Sequence, residues 1–531
     1  MRWIMKKKVL LLVVLILSLS LAFMGCSGSD DSGNTGGDTA AATDNVKAGP
    51  AIDKDTVVIA TADETPSLSA AGHNAVAGDY VNQLTYNGLF RLDNDLNPIP
   101  DLVESYVVEK DENGEDSIWV MTLHEGIKFH DGTDMTSDDV VATLFDVKEK
   151  PEVRTYTNSV VNVEKVDDLT FKIFTDGASS ALLYDLCHHG NYIRPSELIE
   201  SGNDFNANPI GSGPYKFVEW TRGEQITFEA FADYFDKDRA PSIKNIVWKI
   251  IPEGASRTIA LESGEIDYII ELDSTSLASL KANENVAVME IPSVSHSWLT
   301  VNNEVVPFDN VNVRKAISSA INRADVITVA LNDAGIAATG QTPEGLLGFS
   351  AEGFDNYDLE AAKAYMAEWG GDPSTITLEI ICSNDTKRRA AEVIQANLKE
   401  IGIETTLATM DLATYLSETA AGNFTGFIGG YTTNDMVSFL KGVYHSENIN
   451  ASNKTRTAND ELDALIEEAS KTVDQEARRA ILEKASKILN AEAYQMPLYQ
   501  SYRVSAHKAN LENTFITAGG SFRVTEWSWK E

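Results

Sequence analysis

The side chains of this chain that could do chemistry are few and scattered. Cys187-His188-His189 sets a thiol and two imidazoles in a row, donor types that suit zinc, nickel or copper. Adjacent histidines point apart in extended chain, so one ion is shared only if the loop folds back, and His73 and His296 are too distant in sequence to be assigned to it. His188 and His189 therefore stand as weak metal candidates. Phe129-His130-Asp131-Gly132 pairs an imidazole with a carboxylate. No nucleophile accompanies it, and Asp before Gly is what a turn uses. Gly211-Ser-Gly-Pro-Tyr215 lacks the Lys and the spacing of a phosphate loop, and its Pro halts a helix start; it reads as a chain crossing. No HExxH, GxSxG or zinc-spaced cysteine cluster occurs. Binding is favoured over catalysis, and no cofactor is expected.

The elements around these residues alternate. Residues 57–60 read as a buried strand ending in a loop at Thr65-Pro66-Ser67-Leu68. Asp358 caps a helix that ends at Gly370-Gly371, residues 376–382 return as a strand, and Val393, Ile394, Leu398 and Ile401 mark one face of the next helix. Residues 403–407 form another strand; residues 460–493 form two helices, the second capped by Asp474 and ended by Pro497. Strand and helix in alternation with short connections predict an α/β protein. At 531 residues and 43% hydrophobic the chain exceeds one compact core. Its formal charge of −37 repels nucleic acid. Cys187 and Cys382 are expected as free thiols, too few for a disulfide framework.

The N-terminus predicts export. Arg2, Lys6, Lys7 and Lys8 precede an apolar run over residues 9–24, too short to span a bilayer as a helix. Leu21-Ala-Phe-Met-Gly-Cys26 resembles a bacterial lipobox, which makes Cys26 the lipidated residue and residues 1–25 the signal peptide. Residues 26–54, rich in Gly, Ser, Asp and Thr, read as the anchor and a flexible tether.

The segment from Trp119 to Val140, Trp-Val-Met-Thr-Leu-His-Glu-Gly-Ile-Lys-Phe-His-Asp-Gly-Thr-Asp-Met-Thr-Ser-Asp-Asp-Val, resembles the signature of family 5 of the bacterial extracellular solute-binding proteins, the peptide and nickel binders of ABC importers. Leu84-Thr-Tyr-Asn-Gly-Leu89 and Pro100-Asp-Leu-Val-Glu-Ser105 match upstream. Pro209-Ile-Gly-Ser-Gly-Pro-Tyr-Lys-Phe217, Leu261-Glu-Ser-Gly-Glu-Ile-Asp267, Val311-Asn-Val-Arg-Lys-Ala-Ile317, Ala320-Ile-Asn-Arg323 and Met496-Pro-Leu-Tyr499 follow in order. The resemblance implies a two-lobed clamp of the periplasmic-binding-protein type II-like class with an inserted third subdomain. Carried over, one lobe takes residues 55–91, 209–295 and 495–531, the insert 92–208 and the second lobe 296–494. Asp309, Arg314 and Arg323 are expected on a helix start and its polar face, in an ordinary salt bridge. The implied partners are a small solute, importer permease subunits and the membrane through the lipid; the protein acts as a monomer on the outer face of the cell membrane, periplasmic if an outer membrane is present.

A clamp grips its solute from both lobes, so loop ends facing the cleft are the candidates: Thr65, Pro66 and Ser67; His296 and Trp298 at the entry to the second lobe; and Tyr431, Asn434 and Asp435 in the stretch Phe427-Ile-Gly-Gly-Tyr-Thr-Thr-Asn-Asp435. Peptide-binding relatives place an amine-binding acid in that stretch, where Gly430 stands here; Asp435 or Asp411 are the substitutes. A peptide-like solute is the first reading, a metal chelate the alternative, and a secreted hydrolase or a sensor module are the remaining classes.

Overall fold

The computed structural model describes residues 55–530. The leader, Cys26 and the tether lie outside the described residues. Alternating burial builds the first sheet: in Asp116–Leu123 every second side chain, Ser117, Trp119, Met121 and Leu123, is buried, the period expected of a strand with one face on a core. Val103–Lys110, Val160–Lys165 and Thr170–Thr175 complete an antiparallel four-stranded sheet. Helix Ser137–Lys148 packs Val140 and Leu144 into the core beneath it. Asp139 ties this unit together: Oδ2 accepts from the Thr136 amide at 2.8 Å, and Oδ1 from the Ser196 amide at 2.7 Å.

Eleven further strands form one mixed sheet, and two short pairs, Phe90–Leu92 with Pro98–Pro100 and Leu511–Glu512 with Ser528–Trp529, stand apart. Thr56–Thr61 runs parallel to Asn245–Ile250 and Tyr268–Ile269 on one side, and Leu378–Cys382 runs parallel to Thr405–Thr409 and Gly426–Thr432 on the other. Between these halves lie two long antiparallel strands, Val286–Val301 and Gln495–Lys508. Their lower segments belong to the first half, Val286–Pro292 against Tyr502–Lys508, and their upper segments to the second, where His296 to Thr300 also pair with Gly426–Thr432. Register breaks between Pro292 and His296. Proline donates no ladder hydrogen bond and a bulge bends a strand. Side chains take over there: Ser293 Oγ donates to the Ser501 carbonyl at 2.7 Å, and Gln500 Nε2 to the Ser293 carbonyl at 2.7 Å. Separate cores lie on either side of this break, one around Leu299, Ile317, Ile380 and Ile394 and one around Ile59, Tyr215, Trp248 and Trp527.

Two local expectations are corrected. Arg314 makes an ion pair, Nη2 to Glu492 Oε2 at 3.5 Å, and also reaches the Glu492 carbonyl at 2.8 Å, whereas buried Arg323 has no ion pair among the described residues and clamps the Pro497 carbonyl through Nε at 2.7 Å. A guanidinium has five donors and serves backbone oxygens as readily as carboxylates. Pro497 does not end the last long helix. That helix, Gln475–Glu492, stops at Ala493, whose φ is 49°, and Pro497 lies within Gln495–Lys508.

The chain crossing at Gly211–Tyr215 is built on close backbone contact. The Gly213 amide donates to the Thr85 carbonyl at 2.9 Å. His130 is bound here, its amide on the Gly211 carbonyl at 2.8 Å and its Nε2 2.9 Å from the Gly213 carbonyl. A Cβ on Gly213 would come within 2.4 Å of the Thr85 carbonyl carbon. Gly213→Ala is therefore expected to destabilise the protein by about 1–3 kcal/mol through overpacking, read as an earlier urea midpoint at unchanged slope; an unchanged midpoint would contradict this packing.

Candidate functional site

A cleft of ≈ 470 Å³ opens between the two halves of the sheet and the four-stranded unit. Its walls carry charge of both signs: Arg91, Arg239, Arg503 and Arg523 against Asp79, Asp101, Asp185 and Asp435. Most of these are already matched. Asp101 accepts from Arg239 Nη2 at 2.5 Å and lies 3.6 Å from Arg91 Nε. Arg523 binds Glu526 and Asn94.

Two groups are not matched. Arg503 has no carboxylate within ion-pair distance among the described residues. Its fork is held by neutral oxygens, Ala518 at 3.0 Å, Gly519 at 3.1 Å and the Tyr80 hydroxyl at 3.4 Å. The Asp185 carboxylate has no hydrogen-bond or ion-pair partner among the described residues. Burial first, and then the charge of Asp435, push its pKa up to about 8. An acid held this way accepts a cation from a ligand. Asp79 is also raised, by burial, but Gln83 Nε2 donates to it at 3.0 Å.

The sequence candidates divide. Asn434 and Asp435 line the cleft. Asn434 abuts Gly519 from the opposite half, where an added Cβ would sit 2.8 Å from its Oδ1. Asp435 is not free to neutralise a solute. Its Oδ1 is bound by buried Arg478, and its Oδ2 caps helix Met436–Tyr444 through the Ser438 amide at 2.8 Å. Arg478 in turn lies over the Tyr184 ring at 5.2 Å, next to Asp185. Asp411 likewise serves as a helix cap, for Leu412–Ala421. Thr65, Pro66, Ser67 and His296 line no described cavity. Thr65 Oγ1 donates to the Ser67 carbonyl at 2.7 Å and Ser67 Oγ to Asn206 at 3.1 Å, which closes the loop on itself; Pro66 is exposed. His296 is fully buried, and desolvation drives its pKa to about 3. Trp298 and Tyr431 line a second cavity of ≈ 340 Å³, which shares no lining residue with the cleft. Trp298 is 4% exposed and packs edge-to-face on Phe439 at 6.0 Å.

The histidines do come together. His188 stacks on Tyr156 at 3.5 Å, His189 on His188 at 4.2 Å, and His73, 116 positions from His189 in the chain and left unassigned from sequence, on His189 at 4.7 Å. Stacking turns ring faces rather than lone pairs toward one another. Three of the ring nitrogens serve the backbone: His188 Nδ1 accepts from the Gly190 amide at 3.1 Å, His73 Nδ1 from the Ala75 amide at 3.2 Å, and His189 Nδ1 lies 2.8 Å from the Ala70 carbonyl. No group of three or more His, Cys, Asp or Glu able to hold a metal ion occurs among the described residues. Burial lowers His188 to about 2 and His73 to about 4, so both are neutral at physiological pH. Cys187 and Cys382 are free thiols.

Residues 97–451 match the profile described as bacterial extracellular solute-binding proteins, family 5. The chain belongs to that family. The glutathione-binding protein GsiB of Salmonella typhi is 27% identical over 495 residues, covering 90% of this chain and 95% of that one. Among solved structures, HbpA2 from Haemophilus parasuis matches with a TM-score of 0.82 at 24% identity, over 90% of this chain and 100% of that one. DppA from Helicobacter pylori, in complex with the peptide STSA, matches with a TM-score of 0.67 at 22% identity, over 90% and 98%. The fold of this family 5 protein is thus the two-lobed solute-binding fold with a third subdomain. Among the described residues no helix is long and apolar enough to cross a membrane.

The carboxylate of Asp185 yields a direct test on the solute-free protein. Its folded pKa lies above its ordinary value of 3.8. The folded state therefore keeps a proton that the unfolded state loses, and this contribution to stability, complete below pH 4, is lost as pH rises to about 8. Asp185→Asn should gain on the wild type across that window, by about 1 kcal/mol or more, in urea unfolding at pH 5 and pH 9. A difference that does not change with pH would remove Asp185 from its buried setting.

Proposed function

We propose that this family 5 protein captures a small zwitterionic, peptide-like solute in the cleft and delivers it to an ABC importer, acting as a binding protein rather than an enzyme. The observation that carries the reading is the pair of unmatched ionisable groups on the cleft wall, Asp185 for an ammonium and Arg503 for a carboxylate. A cleft of ≈ 470 Å³ suits a ligand of a few residues. The names of relatives agree: glutathione in one, a peptide in an ABC-transporter-associated protein in another. In this reading residues 55–91, 209–295 and 495–531 form one lobe, 92–208 the insert and 296–494 the other lobe. The hinge is the break at Pro292–His296 with its partner at Gln500–Tyr502. The anchor is lipid on Cys26 after loss of residues 1–25, which holds the protein on the outer face of the cell membrane as a monomer.

Calorimetric titration with glutathione and a tripeptide panel tests the charge assignment. A free α-amine should matter through Asp185: N-acetylation or Asp185→Asn should each weaken binding by at least tenfold, and the two together little more than either alone. Arg503→Gln should do the same for the C-terminal carboxylate against its amide. Acetylated and free peptides binding with equal affinity to the wild type would overturn the reading.

A further inference from the structure

The hairpin of Phe90–Leu92 and Pro98–Pro100 turns through residues 93–97, and the turn is built around a residue that local rules disfavour. Asp93 shapes it. Its carbonyl accepts from the Leu96 amide at 3.3 Å, and its Oδ1 accepts from the amides of Asp95 at 2.9 Å and Asn97 at 2.8 Å. Leu96 then takes a φ of 61°. This left-handed region suits glycine and strains a bulky side chain. Asn94 and Asp95 next to it are exposed, yet Leu96 is only 2% exposed. A leucine kept in a glycine's conformation points to a use for its side chain.

That use lies in another core. Leu89, Phe90, Leu102 and Val103, on either side of the turn, belong to the core of the four-stranded unit. Leu96 instead joins the buried cluster around Trp298, Phe439, Ile466 and Leu489, every other buried member of which comes from residues 294–494. The exchange is mutual. Val473, in the link between helices Asp460–Lys471 and Gln475–Glu492, packs against the core of the four-stranded unit. Polar contacts beside it are few: Gln475 Nε2 donates to Asn97 Oδ1 at 2.7 Å, and the Ser180 amide to the Ser470 carbonyl at 2.9 Å. The first of these is open to solvent, so water can take over its partners.

We propose that the turn at residues 93–97 is a latch that holds the cleft closed: Leu96 seats in the core of residues 294–494 when the clamp is shut and withdraws when it opens. Withdrawal exposes one leucine and gives up a solvent-exposed hydrogen bond, a cost small enough for reversible motion. Leu96 does not line the cleft. It therefore acts on the solute only by shifting the balance between open and closed states. The latch rests on the hinge motion of the reading above and is independent of which solute is held.

Two native thiols report on the latch without any solute. Cys187 lines the cleft, and Cys382 is buried at the end of Leu378–Cys382, outside the cleft wall. The purified solute-free protein is treated with N-ethylmaleimide in the absence of denaturant, and labelling of each thiol is followed by peptide mass spectrometry. In the wild type Cys187 should react ahead of Cys382, because the hinge opens without global unfolding. Leu96→Gly keeps the turn and removes the side chain; it should speed Cys187 by about fivefold or more and leave Cys382 unchanged. Leu96→Met should keep the wild-type rate. If Leu96→Gly fails to fold, Leu96→Cys decides the matter, since the thiol it introduces should react well ahead of Cys382; reaction no faster than that of Cys382 would overturn the latch. Cys187 as slow as Cys382 in the wild type would remove the hinge motion and the latch with it. Equal Cys187 rates in wild type and Leu96→Gly, or both thiols accelerated by the same factor, would overturn the latch and leave the hinge standing.

Discussion

The antiparallel pair Val286–Val301 and Gln495–Lys508 joins both halves of the large sheet, and it sets Arg503 on the wall of the cleft. Strands of 16 and 14 residues are far longer than the usual five or six. They remain paired because their two segments answer to different cores, each fixing the inward-facing set of side chains. At the join, the ladder gives way to the side chains of Ser293 and Gln500. A side-chain hydrogen bond tolerates rotation that a continuous ladder does not. Pairing is thus strong within each half and weak between them, which is what a hinge requires.

Charge then sets what the hinge closes on. Asp185 stands on the four-stranded unit's side of the cleft, and Asp435 comes from the opposite half, capped and paired with Arg478. Burial, and then the charge of Asp435, raises the pKa of Asp185. With no cation present Asp185 stays protonated beside Asp435; an ammonium between them stabilises the ionised form. Only such a difference between occupied and empty states allows a solute to shift a population toward closure. Arg503, fixed by backbone oxygens rather than by an acid, offers the complementary charge without an internal competitor.

Much of the scaffold was legible in the sequence because it rests on local rules. Asp358 and Asp474 cap helices as expected, and Gly370 ends one with φ 73°. The alternation around Trp119 is that of a half-buried strand. The site was less legible, because it is made by juxtaposition. Asn434 and Asp435 were found as loop residues at a strand end, yet Asp435 is consumed by Arg478, 43 positions away. His296 and the turn at Thr65 share the composition of binding residues but lie under packing partners that no local pattern specifies. Asp185 left a faint signal, a lone acid in Leu182-Leu-Tyr-Asp-Leu186 beside the histidines already singled out. Arg503 left a similar one, a cation within the largely buried last long strand, which otherwise carries a lysine only at its end. Neither shows from sequence that it lacks a partner, since the absence of a partner is a property of the whole fold.

The most direct measurement is the number of protons exchanged when a peptide binds. Calorimetry at pH 7 in buffers of different ionisation enthalpy reads it without a labelled ligand. With Asp185 protonated in the empty cleft and an ammonium arriving already charged, binding should release close to one proton to the buffer. In Asp185→Asn the release should vanish. Release of the same size in both proteins, or none in the wild type, would contradict the assignment of the solute's amine to Asp185.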